Sequence, residues 1–446
     1  MFENIDDTGG RFLLEDVGGR TAIVGTGAKF VLKAKDGAAF LIDSRGERRL
    51  LGDPFDILQE QLSLFAEDSQ YAPDIPFAGG AVGYFSYDLG RSIESIPNTA
   101  LEDVATPDYC LGFYDSALCI DLQKRSCVAV SASGDRDAVN YWKNLAQSMP
   151  ESSEQVRGGV IHCPGSPDEI RSNFTRDEYL AAIVRIKDYI AAGDVYQVNL
   201  TQRFESELQS SPWNLYKALR RINPAPNSCY LELGDLTVAS ASPELFLTYD
   251  PVSRIVTTKP IKGTRPRGKS KEEDARLARE LAVSEKDRAE NLMIVDMERN
   301  DLGRVAKYGS VNVDRLWEIE AHPNVFQMVS TVTARLAKDY SPVDLIKACF
   351  PGGSITGAPK IRAMEIIEEL EPNRRGIYTG SAGYIDFRGR MDLNIMIRSF
   401  IINNSTAYFH AGGGIVIDSQ PESEYQETLD KIAGLRLALQ ERESEE

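Results

Sequence analysis

Apolar positions in the first 145 residues come in short runs broken by turn residues. Phe12-Leu13-Leu14-Glu15, Thr21-Ala22-Ile23-Val24, Lys29-Phe30-Val31-Leu32-Lys33 and Ala39-Phe40-Leu41-Ile42 have the length of β-strands, and Ile57 to Phe65 carries the spacing of a helix. Phe77 to Tyr87 mixes glycines with aromatic rings, which predicts close backbone packing inside a sheet; no GxxxxGK[ST] spacing marks it as a nucleotide loop. A polar stretch over 151–172, rich in Glu, Ser, Pro and Gly, reads as a linker between an N-terminal segment (1–150) and a second segment (173–440).

The second segment is more sharply punctuated. Thr175 and Glu178 have the spacing of a capping box, Phe174 is placed to staple onto Tyr179, and Gly193 can end the helix that follows. From Tyr196 to Phe204, Tyr, Val, Leu and Phe alternate with Gln197, Asn199, Thr201 and Arg203, predicting a half-buried strand whose polar face is either wet or lines a site. A helix from about Ser284 to Asn300 puts Asp287 and Glu290 on one side. A last helix from about Glu422 carries Glu424, Glu427 and Lys431 beside an apolar stripe. Thr257 to Gly268 reads as a rigid basic turn after a strand, with Lys262 among arginines, and is either a solvated loop or the wall of a site. Glu244, in a small apolar run, is either a surface carboxylate or a half-buried one with a raised pKa. The glycines of Phe350–Lys360 and Ala411–Val416 suit tight turns and suit close backbone approach to an anion equally.

Composition narrows the chemistry. A formal net charge of −17 disfavours nucleic acid and anionic membrane surfaces as partners, so any anionic substrate needs a locally positive site. No apolar run approaches the roughly 20 residues of a membrane helix, and the N-terminal residues lack signal-peptide character, so a cytoplasmic location is expected. Six scattered cysteines without CxxC spacing predict buried thiols, and three unpaired histidines leave a hard cation on carboxylates, magnesium first, as the expected metal. Two acidic pairs on two helices are a candidate oxygen cage for it.

Six strings occur in order: GDVYQVNLTQRF, ASPELF, PIKGTRPRG, AENLMIVDMERND, FPGGSITGAPK and GGGIVIDSQPESEYQET. By these the second segment, from Thr175 to Leu439, resembles the chorismate-utilising enzymes, and the first segment resembles the N-terminal part of anthranilate synthase and aminodeoxychorismate synthase large subunits. The resemblance implies an α/β (α+β) fold like that of anthranilate synthase component I, with two packed, largely antiparallel sheets, helices outside, and the two segments interleaved. It also implies Mg²⁺ on Glu290 and Glu427, with Asp287 and Glu424 as nearby or water-mediated partners. Chorismate contacts are implied at Gln197, Thr264, Tyr378, Arg398, Gly412, Gly414 and Lys431, with Glu244 as general acid.

Two positions separate the branches of that family. Members that add water carry a lysine base where this chain has Gln197, and glutamine cannot deprotonate water. The anthranilate-forming branch reads PIAGT where this chain reads PIKGT, so the resemblance implies the branch that aminates chorismate to 4-amino-4-deoxychorismate on the way to 4-aminobenzoate and folate. Lys262 is then a covalent nucleophile, its pKa lowered by Mg²⁺ and by Arg265 or Arg267, and ammonia comes from a separate glutaminase subunit. Anthranilate formation is the sibling alternative, and a non-catalytic chorismate- or amino-acid-binding partner of a glutaminase the alternative of another class. The chain departs from the family at Gln327, where a histidine is usual, and at Leu13-Leu14-Glu15-Asp16, which lacks the serine of a tryptophan-binding LLES.

Overall fold

The computed structural model describes residues 2–6, 8–15, 20–65, 75–148 and 170–441. Most of the expected linker over 151–172, with His162 and Cys163, and Asp16 lie outside the described residues.

The short apolar runs become strands of two large sheets, and every strand pairing among the described residues is antiparallel. The first sheet runs Arg171–Ser172, Gln197–Glu207, Thr406–Ile415, Ser399–Asn403, Leu236–Ser242, Asn227–Leu233, Phe12–Glu15, Thr21–Gly25, Ser116–Asp121, Ser126–Ser131. The second runs Ile261–Pro266, Val325–Arg335, Ile255–Lys259, Leu245–Asp250, Met391–Asn394, Ser381–Asp386, Gly80–Phe85, Tyr109–Tyr114, Phe30–Lys35, Ala38–Asp43, Gly46–Leu50. Both sheets therefore take strands from either side of residue 150.

Apolar residues from the two facing sheets, among them Phe12, Tyr84, Tyr114, Leu231 and Tyr384, form the middle of the sandwich. Outside the second sheet, helices Pro54–Ser63, Glu285–Gly303 and Pro342–Cys349 contribute to another core. Outside the first sheet, helices Arg136–Gln147, Pro212–Ile222 and Pro421–Gln440 do the same. Each fully buried aromatic or large aliphatic side chain in these layers contributes about 1.5–3 kcal/mol.

Local signals act as the sequence predicts. Thr175 closes its capping box with Glu178, Phe174 packs edge-on against Tyr179 at 5.5 Å, and Gly193 takes φ 86° at the C-cap. Gly83 lies inside a strand where an added Cβ would stand 2.0 Å from the carbonyl oxygen of Cys110, so only glycine fits.

Three expectations change. The basic turn at 257–268 is two strand segments, Ile255–Lys259 and Ile261–Pro266, broken at Pro260 and both paired to the long strand Val325–Arg335. The polar face at Gln197, Asn199, Thr201 and Arg203 is neither wet nor half-exposed, since all four side chains are buried. Cys127 is exposed, while Cys110, Cys119, Cys229 and Cys349 are buried thiols.

Candidate active site

The site forms where the edge strand Ile261–Pro266 of the second sheet faces the Gln197–Glu207 and Thr406–Ile415 strands of the first. The loop after helix Pro342–Cys349 joins them: its Gly357–Ala358 pairs with Gln197 and Val198, and its 3-10 turn Gly353–Ile355 packs on helix Glu285–Gly303.

Glu244 is buried, and its carboxylate oxygen accepts the Ile261 N–H at 3.4 Å. Burial pushes its pKa up, opposed by Lys262 and by a hydrogen bond with the Ser354 side chain. The Lys262 amine donates to the Ser354 carbonyl at 2.9 Å. Burial draws its pKa down, opposed by Glu244 and Glu290 and assisted by Lys431. Arg265 and Arg267 do not produce this shift. Arg265 is held by Glu280 at 2.9 Å and Asp287 at 3.1 Å, and Arg267 by Asp274 at 2.5 Å. The basic stretch is thus neutralised by acids that sequence distance hid.

The acidic residues approach from two helices. On Glu285–Gly303, capped by Ser284, burial raises the pKa of Glu290 against the opposing pull of Lys262 and Lys286. Asp287, on the same helix, accepts from Arg265 and packs against the open face of Gly263, whose φ is 79°. On Pro421–Gln440, Glu424 is buried and accepts from the Ser419 hydroxyl at 2.7 Å. Glu427 pairs with Lys431 at 2.6 Å; burial pushes its carboxyl up, but Lys431, Lys286 and Lys262 together hold it below its ordinary value.

Gly413 faces this acidic group. A Cβ there would lie 3.3 Å from Glu424 Oε2, 3.7 Å from Lys431 Nζ and 3.8 Å from Glu427 Oε1. Its neighbours point the other way: at Gly412 a Cβ would meet the Leu200 carbonyl at 2.3 Å, and at Gly414 the Gln197 amide at 2.7 Å. The Gln197 side chain is buried with neither amide atom hydrogen-bonded, so it keeps both a donor and an acceptor. Lys431 also donates to the Gly412 carbonyl at 2.7 Å, and Arg398, at φ 54°, donates to the Lys431 carbonyl. Tyr378 is buried, its pKa pushed up by burial to about 12, and stacks on His410 at 4.5 Å. Thr264 is exposed, on the far side of the irregular register around Gly263.

Among the described residues no three acidic, histidine or cysteine side chains converge as a preformed metal cage. The donor set still fits magnesium, which is commonly held by one or two carboxylates with waters and substrate oxygens completing six positions. Glu290 and Glu427 supply two such carboxylates from facing helices, and lysines now offset their charge.

Other side chains complete the layer around Lys262 and Glu244. Ser354 touches both Lys262 and Glu244. Asn199 donates to the same Ser354 carbonyl at 3.1 Å. Arg375 ties the carbonyls of Asn199 and Ile355 at 2.7 and 2.9 Å while paired to Glu371. Away from the site, Leu14 and Glu15 line a cavity between the sheets with Cys229 and Asn394, and Glu15 accepts from Tyr216 and Arg220.

A profile of chorismate binding enzymes matches residues 9–436. The chain belongs to this enzyme family. It is 46% identical to aminodeoxychorismate synthase component 1 of Salmonella typhimurium over 382 residues, 86% of this chain and 81% of that protein. It is 41% identical to anthranilate synthase component 1 of Thermus thermophilus over 439 residues, 96% and 92% of the two chains. Its fold superposes on the crystal structure of anthranilate synthase component I from Streptococcus pneumoniae with a TM-score of 0.81 at 33% identity, covering 95% of this chain and 94% of the other. The expected sheet-on-sheet architecture with outer helices is the architecture observed. Among the described residues no helix is long and apolar enough to cross a membrane.

Proposed function

We propose that the chain aminates chorismate at C4 to give 4-amino-4-deoxychorismate, using ammonia from a separate glutaminase subunit. One observation carries this choice over anthranilate formation: the Lys262 amine lies beside the buried Glu244, on a strand edge that also faces Glu290. Both relatives named above span most of the chain, so identity alone leaves the two branches close.

In this reading the chain's residues divide the work. Tyr378, Arg398 and Lys431 with the Gly412–Gly414 backbone orient the substrate carboxylates, and the free Gln197 amide contacts the ring without acting as a base. Glu290 and Glu427 would hold magnesium, with Asp287 and Glu424 nearby, and the bound ion would neutralise charge on the C1 carboxylate. Lys262 attacks C2 as the neutral amine, the conjugated double bonds shift, and the C4–O bond breaks as protonated Glu244 gives its proton to the leaving hydroxyl. Ammonia then attacks C4, the double bonds return, and the C2–Nζ bond breaks to release Lys262. Two displacements place nitrogen para to the carboxylate, where direct attack at C2 would place it ortho.

The test is the purified chain with chorismate, Mg²⁺ and an ammonium salt, with and without chelator. The expected product yields 4-aminobenzoate only after a separate lyase is added, is lost on chelation, and is abolished or redirected by Lys262→Ala. Direct release of pyruvate with fluorescent anthranilate would overturn the proposal in favour of the sibling reaction.

A further inference from the structure

We infer that Glu298 is a positioning residue for the Lys262–Glu244 pair, tethering the Gly353–Ser354 turn to the helix that carries Glu290. Glu298 is 2% exposed, an unusual place for a carboxyl, and the proposed reaction does not use it. Its Oε1 accepts the Gly353 N–H at 3.2 Å, while Oε2 is enclosed without a hydrogen-bond partner. The contact is shaped to be close: a Cβ on Gly353 would stand 3.2 Å from Met297 Cβ and 3.4 Å from Glu298 Oε1.

The next residue gives the tether its consequence. The Ser354 carbonyl receives the Lys262 amine and the Asn199 amide, and its side chain bonds Glu244. Glu290 stands eight residues before Glu298 on the same helix, a rise of about 12 Å. Glu298 therefore fixes how far the Lys262 amine stands from the carboxylate of Glu290, a distance that neither the strand Ile261–Pro266 nor the turn sets alone.

The carboxyl does this at reduced charge. Burial first, and Asp301 next, push its pKa up to about 8, while Lys360 and the Gly353 N–H oppose. Asp301 itself takes the Lys360 amine at 2.5 Å, so the cation in this layer is already paired. A carboxyl raised in this way accepts from Gly353 while carrying less charge into the layer than an ordinary carboxylate would.

The inference rests on the amination reading for its catalytic consequence, and the experiment separates the two. Glu298→Gln keeps the acceptor and Glu298→Leu removes it. Each purified variant is compared with the parent in ammonia-dependent turnover and in the rate at which an amine-acylating reagent labels Lys262, read by peptide mass spectrometry. The Gln variant should stay within about twofold of the parent in both, and the Leu variant should lose roughly ten- to a hundredfold in kcat with KM for chorismate within about twofold. Lys262 labelling in the Leu variant should change by at least about threefold and return to the parent rate in the Gln variant. If the Leu variant does not fold, Glu298→Asp, which withdraws the carboxyl from Gly353 by one methylene, carries the same expectation. A folded Leu or Asp variant with parental kcat and labelling overturns the tether, as does a Gln variant that falls as far as Leu. Amination unchanged in Lys262→Ala would instead sink the nucleophile reading, leaving the labelling result to decide the tether.

Discussion

Glu371→Gln asks what holds the back wall of the site rigid. The side chains of Arg375 and Glu371 are 1% and 4% exposed and meet in two hydrogen bonds of 2.9 and 2.7 Å. Glu371 Oε1 also takes the Thr201 N–H and hydroxyl at 2.9 and 3.0 Å. The guanidinium further holds the Asn199 and Ile355 carbonyls and lies 4.8 Å from the Tyr87 ring centroid. Glutamine preserves shape and one acceptor oxygen but leaves a buried cation without its anion, a loss of about 3–5 kcal/mol. An unfolding entropy of about 2 cal/mol/K per residue makes that roughly 3–5 °C in Tm for a chain of this size. Asn199 shares the Ser354 carbonyl with Lys262, so kcat should fall as well. Calorimetry and ammonia-dependent turnover on one preparation measure both. The double variant Glu371→Leu/Arg375→Met, which leaves no unpaired charge, should be more stable than either single change. A Glu371→Gln protein melting within about 1 °C of the parent would refute the reasoning, since the pair would then be wet or dispensable.

Gly413→Ala and Gly412→Ala should separate site from scaffold. The first directs a methyl at Glu424 and Lys431 from 3.3 Å and 3.7 Å and should weaken Mg²⁺ and chorismate binding roughly tenfold with Tm nearly unchanged. The second drives a methyl into the Leu200 carbonyl at 2.3 Å and should lower Tm by several degrees, which thermal unfolding would detect. Glu298 also makes stability depend on pH. Burial lifts its folded pKa to about 8, above the ordinary 4.5, so the folded state keeps a proton that the unfolded chain releases. Its contribution is full below about 4.5 and is lost as pH rises to about 8, at no more than about 1.4 kcal/mol per pH unit. Glu298→Gln removes that slope, so its Tm advantage over the parent should grow across this window, and a constant difference would contradict the assignment.

What the sequence disclosed was local. The capping box at Thr175 and the stop at Gly193 depend on residues within one helical turn, and each forms as spelled. The stretch 257–268 reads as a turn because its partner strand begins at Val325, and two prolines and two glycines look like loop punctuation until that strand is alongside. Buried polar positions failed for the same reason: Thr201 finds Glu371, and Arg203 finds Asp103 at 2.5 Å, across separations of 170 and 100 residues. Motif strings brought in Lys262, Glu244 and the two acidic pairs by resemblance. They single out neither Glu298, whose charged stretch Asp296–Asp301 reads as a solvated face until the layer covering it is known, nor Ser354 and Arg375, whose partners are distant in sequence.

Burial moves both groups toward the forms that the proposed reaction needs. In water a glutamate and a lysine side by side exchange a proton and become an ion pair. Here burial raises Glu244 and lowers Lys262, and each group's largest opposing influence is the charge of the other. The balance therefore turns on how much charge the site tolerates, and removing either partner lets the remaining one move further toward neutrality. Glu244→Gln should then leave Lys262 more easily deprotonated, yet without the proton that the departing hydroxyl needs. Faster labelling of Lys262 joined to slower turnover is the signature of that arrangement, and a variant in which both fell would mean that Glu244 orients the lysine instead.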